Sequence, residues 1–494
     1  MNFTEDLLER FPASKRAAIA ISRDGNARVW HFGELIAQSA GLSGAFAARG
    51  VRRGDVVMTL VGNRIEWVLA MLACWRMGAI ALPCNTQLRR ADLELRVQAG
   101  NPGLCVGEEE LLTELPEGVP YMTLADVAGA LDEDRPQETP VAPADLDAEE
   151  GALIVFTSGT SGEPRGALHA QRYLAGQRLQ AEHWFGARDG DVAWCTTATG
   201  WSKSARNVFV APWLMGATAV IHDGRFEPAE RLQLVEELAV NVLCQAPTEY
   251  RMLAKRVDLH PLPRMREMVS AGEPLNPEII AAFEEATGHE IRDGYGQTET
   301  GHIAAARVGD DVRPGSMGRP LPGIEVRVAA ADPASVAEEA ADDVGELQLR
   351  PASCPTFFAH YLDAAPFDGE WWPTGDLVRS DEDGYLYFEG RNDDLILSAG
   401  YRIGPFEVES ALVSHPAVAE AAAVAAPDPE RGSVVRAIVV LRDGTPSEQL
   451  ARELQEHCKR QTAPYKFPRI VEFADELPKT ASGKIKRAEL RTDG

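Results

Sequence analysis

The chain has no run of 18 or more uncharged apolar residues, the length a helix needs to cross a bilayer. The nearest approach, VLAMLACWRMGAIALP from Val68, is interrupted by Arg76. The start, MNFTEDLLERF, lacks the basic-then-apolar pattern of a secretory signal. Cysteine is sparse, seven residues with no C-x-x-C pair, which argues against a disulfide framework and points to reduced thiols in the cytoplasm. Ten scattered histidines form no H-x-H or H-x-x-x-H pair, so no zinc site is indicated. Neither G-x-x-x-x-G-K-[ST] nor G-x-G-x-x-G occurs at the glycine-rich segments, so a Walker loop and a nicotinamide fingerprint are both excluded. Positive charge is also short: 49 basic against 75 acidic residues leave a net of −26, a field that repels nucleic acid and anionic membranes.

What is present is ordinary globular material, 494 residues at 45% hydrophobic and 25% charged, which is too long for one core. Short β-rich runs alternate with helical stretches over the first four hundred residues. GDVVMTLVG, from Gly54, leads into a helix-like IEWVLAMLACWRMG and then the strand-like AIALPCN. The same alternation recurs at residues 152–156, 217–221, 241–246 and 266–271, the pattern of an α/β fold with parallel sheets flanked by helices. LDEDRPQETPVAPADLDAEE (131–150) and AAADPASVAEEAADD (329–343) are acidic enough to be solvated connections.

From Asp394 onward there are 15 acidic and 14 basic residues, so nearly all of the negative charge lies on the preceding part. This break marks a separate, small α+β domain. Within it, Pro405 opens a helix, Thr445-Pro446-Ser447-Glu448 forms a capping box before a second helix, and RIVEFA reads as a closing strand. The expected division is 1–392 and 393–494.

Five segments carry chemistry. LIVFTSGTSGEPRGALH, from Leu153, interleaves hydroxyls with glycines at a strand end, where backbone N–H and O–H donors can meet a polyphosphate. SAGEPLNPE (270–278) and DGYGQTETG (293–301) read as turns at strand ends, where α/β sheets bind ligands. Glu299 in the second turn is an oxygen ligand suited to Mg²⁺. The fourth segment, Trp371 to Glu409, joins Asp376, Arg391 and Arg402 across the domain boundary. The last, LPKTASGKIKR (477–487), places Lys484 on a glycine turn.

In order and spacing these five motifs resemble the acyl-adenylate-forming superfamily, which includes acyl-CoA synthetases, luciferases and peptide-synthetase adenylation domains. TGW (199–201), RPGSMGRPLPG (313–323) and APYKFPR (463–469) make the chain most similar to the medium-chain acyl-CoA synthetase branch. The resemblance implies a large multi-layer α/β domain and a small mobile α+β lid. It further implies that Thr157, Ser158, Gly159, Thr160, Ser161, Gly162, Arg165 and Gly166 wrap the ATP phosphates. Gly272, Glu273, Pro274 and a stacking Tyr295 would line the adenine pocket, with Asp293, Gly294, Gly296, Gln297 and Thr300 in the same nucleotide-binding segment. Thr298 would touch the α-phosphate and Glu299 would hold Mg²⁺. Asp376 and Arg391 would grip the ribose, Arg402 would approach the phosphates, and Lys484 would bridge the carboxylate and the α-phosphate. Asp393 matches the hinge. Ala399, Gly400, Tyr401, Arg431, Phe467 and Arg469 match positions around CoA, joined by Lys459 and Gln87.

Two departures stand out: Arg165 where lysine is usual, and Phe467 where tyrosine is common. Where acetate-activating relatives carry a tryptophan after the stacking tyrosine, this chain has Gly296, which implies an acyl pocket open to acids larger than acetate: medium-chain, branched or aromatic. Trp201 is a candidate for the pocket wall. The implied activity is ATP-dependent formation of acyl-AMP with release of pyrophosphate, then transfer to CoA, by a monomer or homodimer in the cytoplasm with neither nucleic acid nor membrane as partner. The competing functions are a stand-alone enzyme loading a carrier protein and a non-catalytic nucleotide or acyl-adenylate sensor.

Overall fold

A computed structural model describes residues 1–132, 134, 138–157, 164–273, 275–330, 344–391, 394, 396–398, 401–428, 431–479 and 485–491. The described residues form two compact units. The first takes Met1–Thr157, Pro164–Ile324 and Pro351–Glu370; the second takes Glu325–Arg350 and Trp371–Gly494. The second unit thus begins upstream of residue 393, because the antiparallel strands around Trp372 pack within it.

The first unit holds two large sheets, as the alternating pattern predicts. In the nine-stranded sheet, Ile291–Gln297, Glu267–Ala271, Val242–Gln245, Val192–Cys195, Thr218–His222 and Arg16–Ile21 run parallel in that spatial order. Antiparallel strands Gly301–Ala305 and Ala27–His31 flank this block on either side. In the seven-stranded sheet, Gly151–Phe156 pairs parallel with Ile80–Pro83 and antiparallel with Gly166–Ala170, so the glycine- and hydroxyl-rich segment joins two neighbouring strands. The apolar helix Ile65–Met77 is a core helix, with Trp67 through Trp75 buried, and Gly78 in the left-handed region (φ 76°) ends it. Among the described residues, no helix is long and apolar enough to cross a membrane.

One expected connection is less solvated than its composition predicts. Val141 donates its backbone N–H to Ser43 Oγ and accepts from Arg76 Nε through its carbonyl, and Leu146 is buried. Backbone hydrogen bonding and one leucine suffice to anchor an acidic segment. All seven cysteines are buried, and burial pushes the Cys84 thiol up to about 12.

The second unit has a four-stranded antiparallel sheet that includes Trp372–Ser380 and Leu386–Arg391. It also has a three-stranded sheet, Val418–Asp428, Gly432–Leu441 and Ile470–Phe473, packed with the helices Pro405–Val413 and Glu448–Gln461. Pro405 occupies the first helical turn as its sequence context predicts. The second cap lies elsewhere than expected. Ser447, not Thr445, caps Glu448–Gln461, its Oγ accepting from Leu450 N at 3.1 Å, and Pro446 lies outside the helix. Both residues are cap formers, and serine is the stronger of the two.

Candidate active site

DGYGQTETG is mostly strand, which corrects the expected turn. Asp293 and Gly294 pair with Ser270 and Ala271, and the strand continues to Gln297. Only Thr298, Glu299 and Thr300 form the connection to Gly301–Ala305. Thr300 closes it: its Oγ accepts from Gln297 N at 3.0 Å and donates to the Gly301 carbonyl at 2.9 Å. Thr356 Oγ in turn donates to the Thr300 carbonyl at 2.7 Å, and Phe358 N donates to the Glu299 carbonyl at 2.8 Å.

The hairpin also explains Gly296. The ladder shifts register between Tyr295 and Gly296, and a Cβ at 296 would fall 1.8 Å from the Gly301 carbonyl oxygen. The glycine is therefore demanded by the backbone of its own hairpin. An open acyl pocket is not needed to account for it.

Glu299 is half-buried and accepts a 2.6 Å hydrogen bond from the Tyr361 hydroxyl on Oε1. Burial, followed by the adjacent carboxylate, pushes the Tyr361 phenol above its ordinary range, so it stays a donor at neutral pH. The Arg165 guanidinium stacks 3.8 Å from the Tyr361 ring centroid and grips Asp363, with Nη2 to Oδ1 at 2.7 Å. That pairing raises Arg165 and holds Asp363 below the usual carboxylate range. A planar guanidinium can stack and bind bidentately at once, which a lysine cannot. Thr157 and Arg165 bracket the glycine- and hydroxyl-rich segment: Thr157 N donates to the Arg165 carbonyl and Arg165 N to Thr157 Oγ, at 2.9 and 3.0 Å. Ser158, Gly159, Thr160, Ser161 and Gly162 lie outside the described residues. Gly166 opens the next strand, where a Cβ would meet Leu362 at 2.6 Å.

After Glu267–Ala271, the parallel neighbour of Ile291–Gln297, Gly272 adopts φ +110° and passes close to Lys203, whose ammonium donates to the Ala271 carbonyl. Glu273 Oε1 accepts from Thr248 Oγ at 2.7 Å and from Arg251 Nη2 at 3.1 Å. Burial pushes the Asp293 carboxyl up to about 7, against the opposing pull of the Gly294 N–H and Lys203. Pro274 lies outside the described residues.

The AMP-binding enzyme family matches residues 5–354, and the AMP-binding enzyme C-terminal domain matches residues 407–484. The chain belongs to the AMP-binding enzyme family. It is 38% identical to the mitochondrial acyl-coenzyme A synthetase ACSM3 of Mus musculus, over 99% of this chain and 90% of that protein. It is 37% identical to the acyl-CoA ligase YtcI of Bacillus subtilis, which is described as uncharacterized, over 98% and 94%. Among solved structures it resembles the anthranilate CoA ligase AuaEII in complex with anthranoyl-AMP, with a TM-score of 0.86, 31% identity, and 99% and 96% coverage. The α/β architecture with a smaller second unit is that of this AMP-binding family.

In this AMP-binding enzyme the second unit brings Asp376 and Arg391 together as partners across two strands, with Nη1 to Oδ1 at 3.2 Å. Asp376 is buried, and Gly375 (φ +72°) lies against the guanidinium. Lys459, Phe467 and Arg469 also meet: Lys459 Nζ lies 4.2 Å and the Arg469 guanidinium 5.1 Å from the Phe467 ring centroid. Both cations are drawn to the ring, and Lys459 also pairs with Glu456 at 2.6 Å. Arg431 lies exposed in the turn before Gly432–Leu441. Tyr401 and Arg402 are on the strand Tyr401–Ile403. Asp393, Ala399, Gly400 and Lys484 lie outside the described residues. In the first unit, Trp201 is half-buried and Gln87 is exposed on the loop after Ile80–Pro83.

Sequence reasoning missed Tyr361, Asp363 and Lys203. Tyr361 lies 62 positions from Glu299 and Asp363 lies 198 from Arg165, so no local spacing could have joined them.

Proposed function

We infer that the chain is an AMP-forming acid–thiol ligase: it activates a carboxylic acid with ATP, releasing pyrophosphate, and passes the acyl group from acyl-AMP to CoA. The observation that carries this reading is its likeness, over nearly its whole length, to proteins named acyl-CoA synthetases and ligases. An acid larger than acetate (medium-chain, branched or aromatic) is the proposed substrate class, and anthranilate in a neighbour's name is in keeping with it. A cytoplasmic monomer or homodimer completes the reading.

The first step brings a carboxylate oxygen to the α-phosphorus while pyrophosphate leaves, so two anions must approach as charge grows on the phosphoryl oxygens. Positioning and positive charge are the requirement. In this reading Thr298 touches the α-phosphate, on the same hairpin turn that carries Glu299. Arg165, steadied by Asp363 and Tyr361, closes the loop whose N–H groups wrap the phosphates with Gly166. Gly272, Glu273 and Tyr295 hold the adenine, Asp376 and Arg391 the ribose. Arg402 and Lys484 bring charge to the phosphates, and Lys484 aligns the carboxylate. The residues present suit Mg²⁺: among the described residues no trio of acidic, histidine or cysteine ligands converges, and one carboxylate completed by substrate phosphates and water is a common Mg²⁺ arrangement. Held by Glu299, the ion would neutralise phosphate charge.

In the second step the CoA thiol attacks the acyl carbonyl and AMP leaves. Lys459, Phe467, Arg469, Arg431, Ala399, Gly400 and Tyr401 serve CoA, with Gln87. Turning of the domain from 393 onward about Asp393 exchanges Lys484 for the thiol. Pyrophosphate release on mixing ATP with a panel of acids tests the first step, and thioester formation on adding CoA tests the second. Lys484→Ala should nearly abolish pyrophosphate release yet still convert supplied acyl-AMP and CoA to thioester. Asp393→Pro should keep adenylation within about tenfold while thioester formation collapses, since proline fixes φ and restricts Asn392. Absence of pyrophosphate with every acid would overturn the reading.

A further inference from the structure

Behind the Glu299 turn, the first unit buries a set of polar atoms that have no hydrogen-bond partner among the described residues. Arg206 is 2% exposed, and its Nε and Nη1 find no partner. Among the described residues, no carboxylate pairs with it. Its guanidinium acts on both His169 and His302, whose four ring nitrogens are also unpartnered and buried. His169 packs on Tyr173 at 4.2 Å between centroids with the rings tilted by 41°, and the Tyr173 phenol faces the Arg206 guanidinium, whose charge and N–H work against the upward push of burial. His302 stacks on Trp184 at 4.0 Å, and the indole N–H is without a partner too. Asn207 Nδ2 adds another open donor.

Burying an unpaired guanidinium is among the most costly arrangements a core can hold, and native cores pair such groups. The imbalance here has a sign. Two guanidinium N–H groups, an indole N–H and the Asn207 amide N–H are unpartnered donors, against the Gln180 Oε1 acceptor bonded through its own amide to Asn207, and Arg206 supplies a full positive charge. Burial and the Arg206 charge push His169 down to about 3, so both imidazoles are neutral and leave Arg206 as the cluster's cation. A donor-rich, singly cationic, enclosed cluster is the complement of an oxygen-rich anion.

Its position says which anion. Gly301 directly follows the Thr298–Thr300 turn, and a Cβ there would lie 3.6 Å from Arg206 Nη1. Gly294, on the strand feeding that turn, faces Trp184 and His302, a Cβ there falling 2.7 Å from the indole and 3.2 Å from the imidazole. The cluster thus lies directly behind the turn at which the ligase reading has the reacting carboxylate meet ATP.

We propose that Arg206, with His302, His169, Tyr173, Trp184 and Asn207, binds a second, non-reacting carboxylate on the acid substrate, so that the enzyme prefers dicarboxylic acids to simple fatty acids. This rests on the ligase reading above and narrows its substrate class.

The test compares acids of matched length, hexanoate with adipate and benzoate with terephthalate, by pyrophosphate release from ATP. Wild-type kcat/KM should favour the diacid at least tenfold. Arg206→Met should lower that ratio at least tenfold, and Arg206→Lys should restore part of it. A wild-type preference for the monoacid, or a ratio unmoved in a folded Arg206→Met, overturns the proposal. If Arg206→Met does not fold, the wild-type ratio and Arg206→Lys decide. If no acid releases pyrophosphate, the ligase reading fails separately, and thermal shifts of the wild type at constant ionic strength settle the site. Stabilisation by adipate but not hexanoate supports it; equal shifts or none mean that water alone fills the cluster.

Discussion

The turn at Glu299 and the patch around Phe467 serve opposite ends of the proposed reaction and are built differently. Glu299 stands on a connection fixed by Thr300, Thr356 and Phe358, with its carboxylate oriented by Tyr361. Lys459 and Arg469 both lie against the Phe467 ring, and among the described residues Lys459 is further tied only to Glu456, three residues away. A group held in one geometry can favour a transition state over a ground state, because it need not reorganise as charge develops. Exposed cations on a ring attract an anionic ligand with little geometric demand, and salt screens them.

Four changes would break or sharpen that contrast. Glu299→Gln keeps an oxygen for Tyr361 yet removes the charge. It should cost roughly 10²–10³ in pyrophosphate release with the melting temperature nearly unmoved. A loss of under tenfold would show that the turn is merely structural. Gly296→Ala should lower the melting temperature by roughly 5 °C or more and reduce turnover of short and long acids together, since its Cβ meets the Gly301 carbonyl. If stability holds and only the long-to-short ratio changes, Gly296 faces the acyl chain as the sequence implied.

The third change uses pH. Asp293 keeps its proton to about pH 7 in the folded protein, against roughly 4 when unfolded. Its contribution is therefore most favourable below that window and falls as pH rises through it. Asp293→Asn, which does not titrate, should gain on the wild type by about 2–4 °C in melting temperature between pH 4.5 and pH 7.5. A constant difference would place the Asp293 carboxyl in an ordinary environment. The smallest effect is expected at the patch: Lys459→Ala should raise KM for CoA about threefold at low salt, fading at high salt. A large, salt-independent loss would mean that this cation is as fixed as Glu299.

The alternation of β-rich and helical runs foretold the parallel sheets because hydrophobic period is a local property, visible in a single window of sequence. The strand at Asp293–Gln297 was missed because its glycines suit a turn when read alone, whereas pairing with Ser270 and Ala271 on a neighbouring strand decides the matter. Thr298 and Glu299 were legible as a motif. Tyr361 and Asp363 were not, because what they do depends on partners far along the chain. Arg206 was invisible for a different reason: sequence shows a charge, but only the fold shows that the charge is enclosed.

The burial of every cysteine bears on the proposed chemistry itself. An enzyme that works on a thiol meets that thiol's oxidised disulfide form as well. Mixed-disulfide exchange needs an accessible thiolate on the protein. With all seven sulfurs packed inside the two units, the folded chain presents none, so oxidised CoA should leave it unmodified.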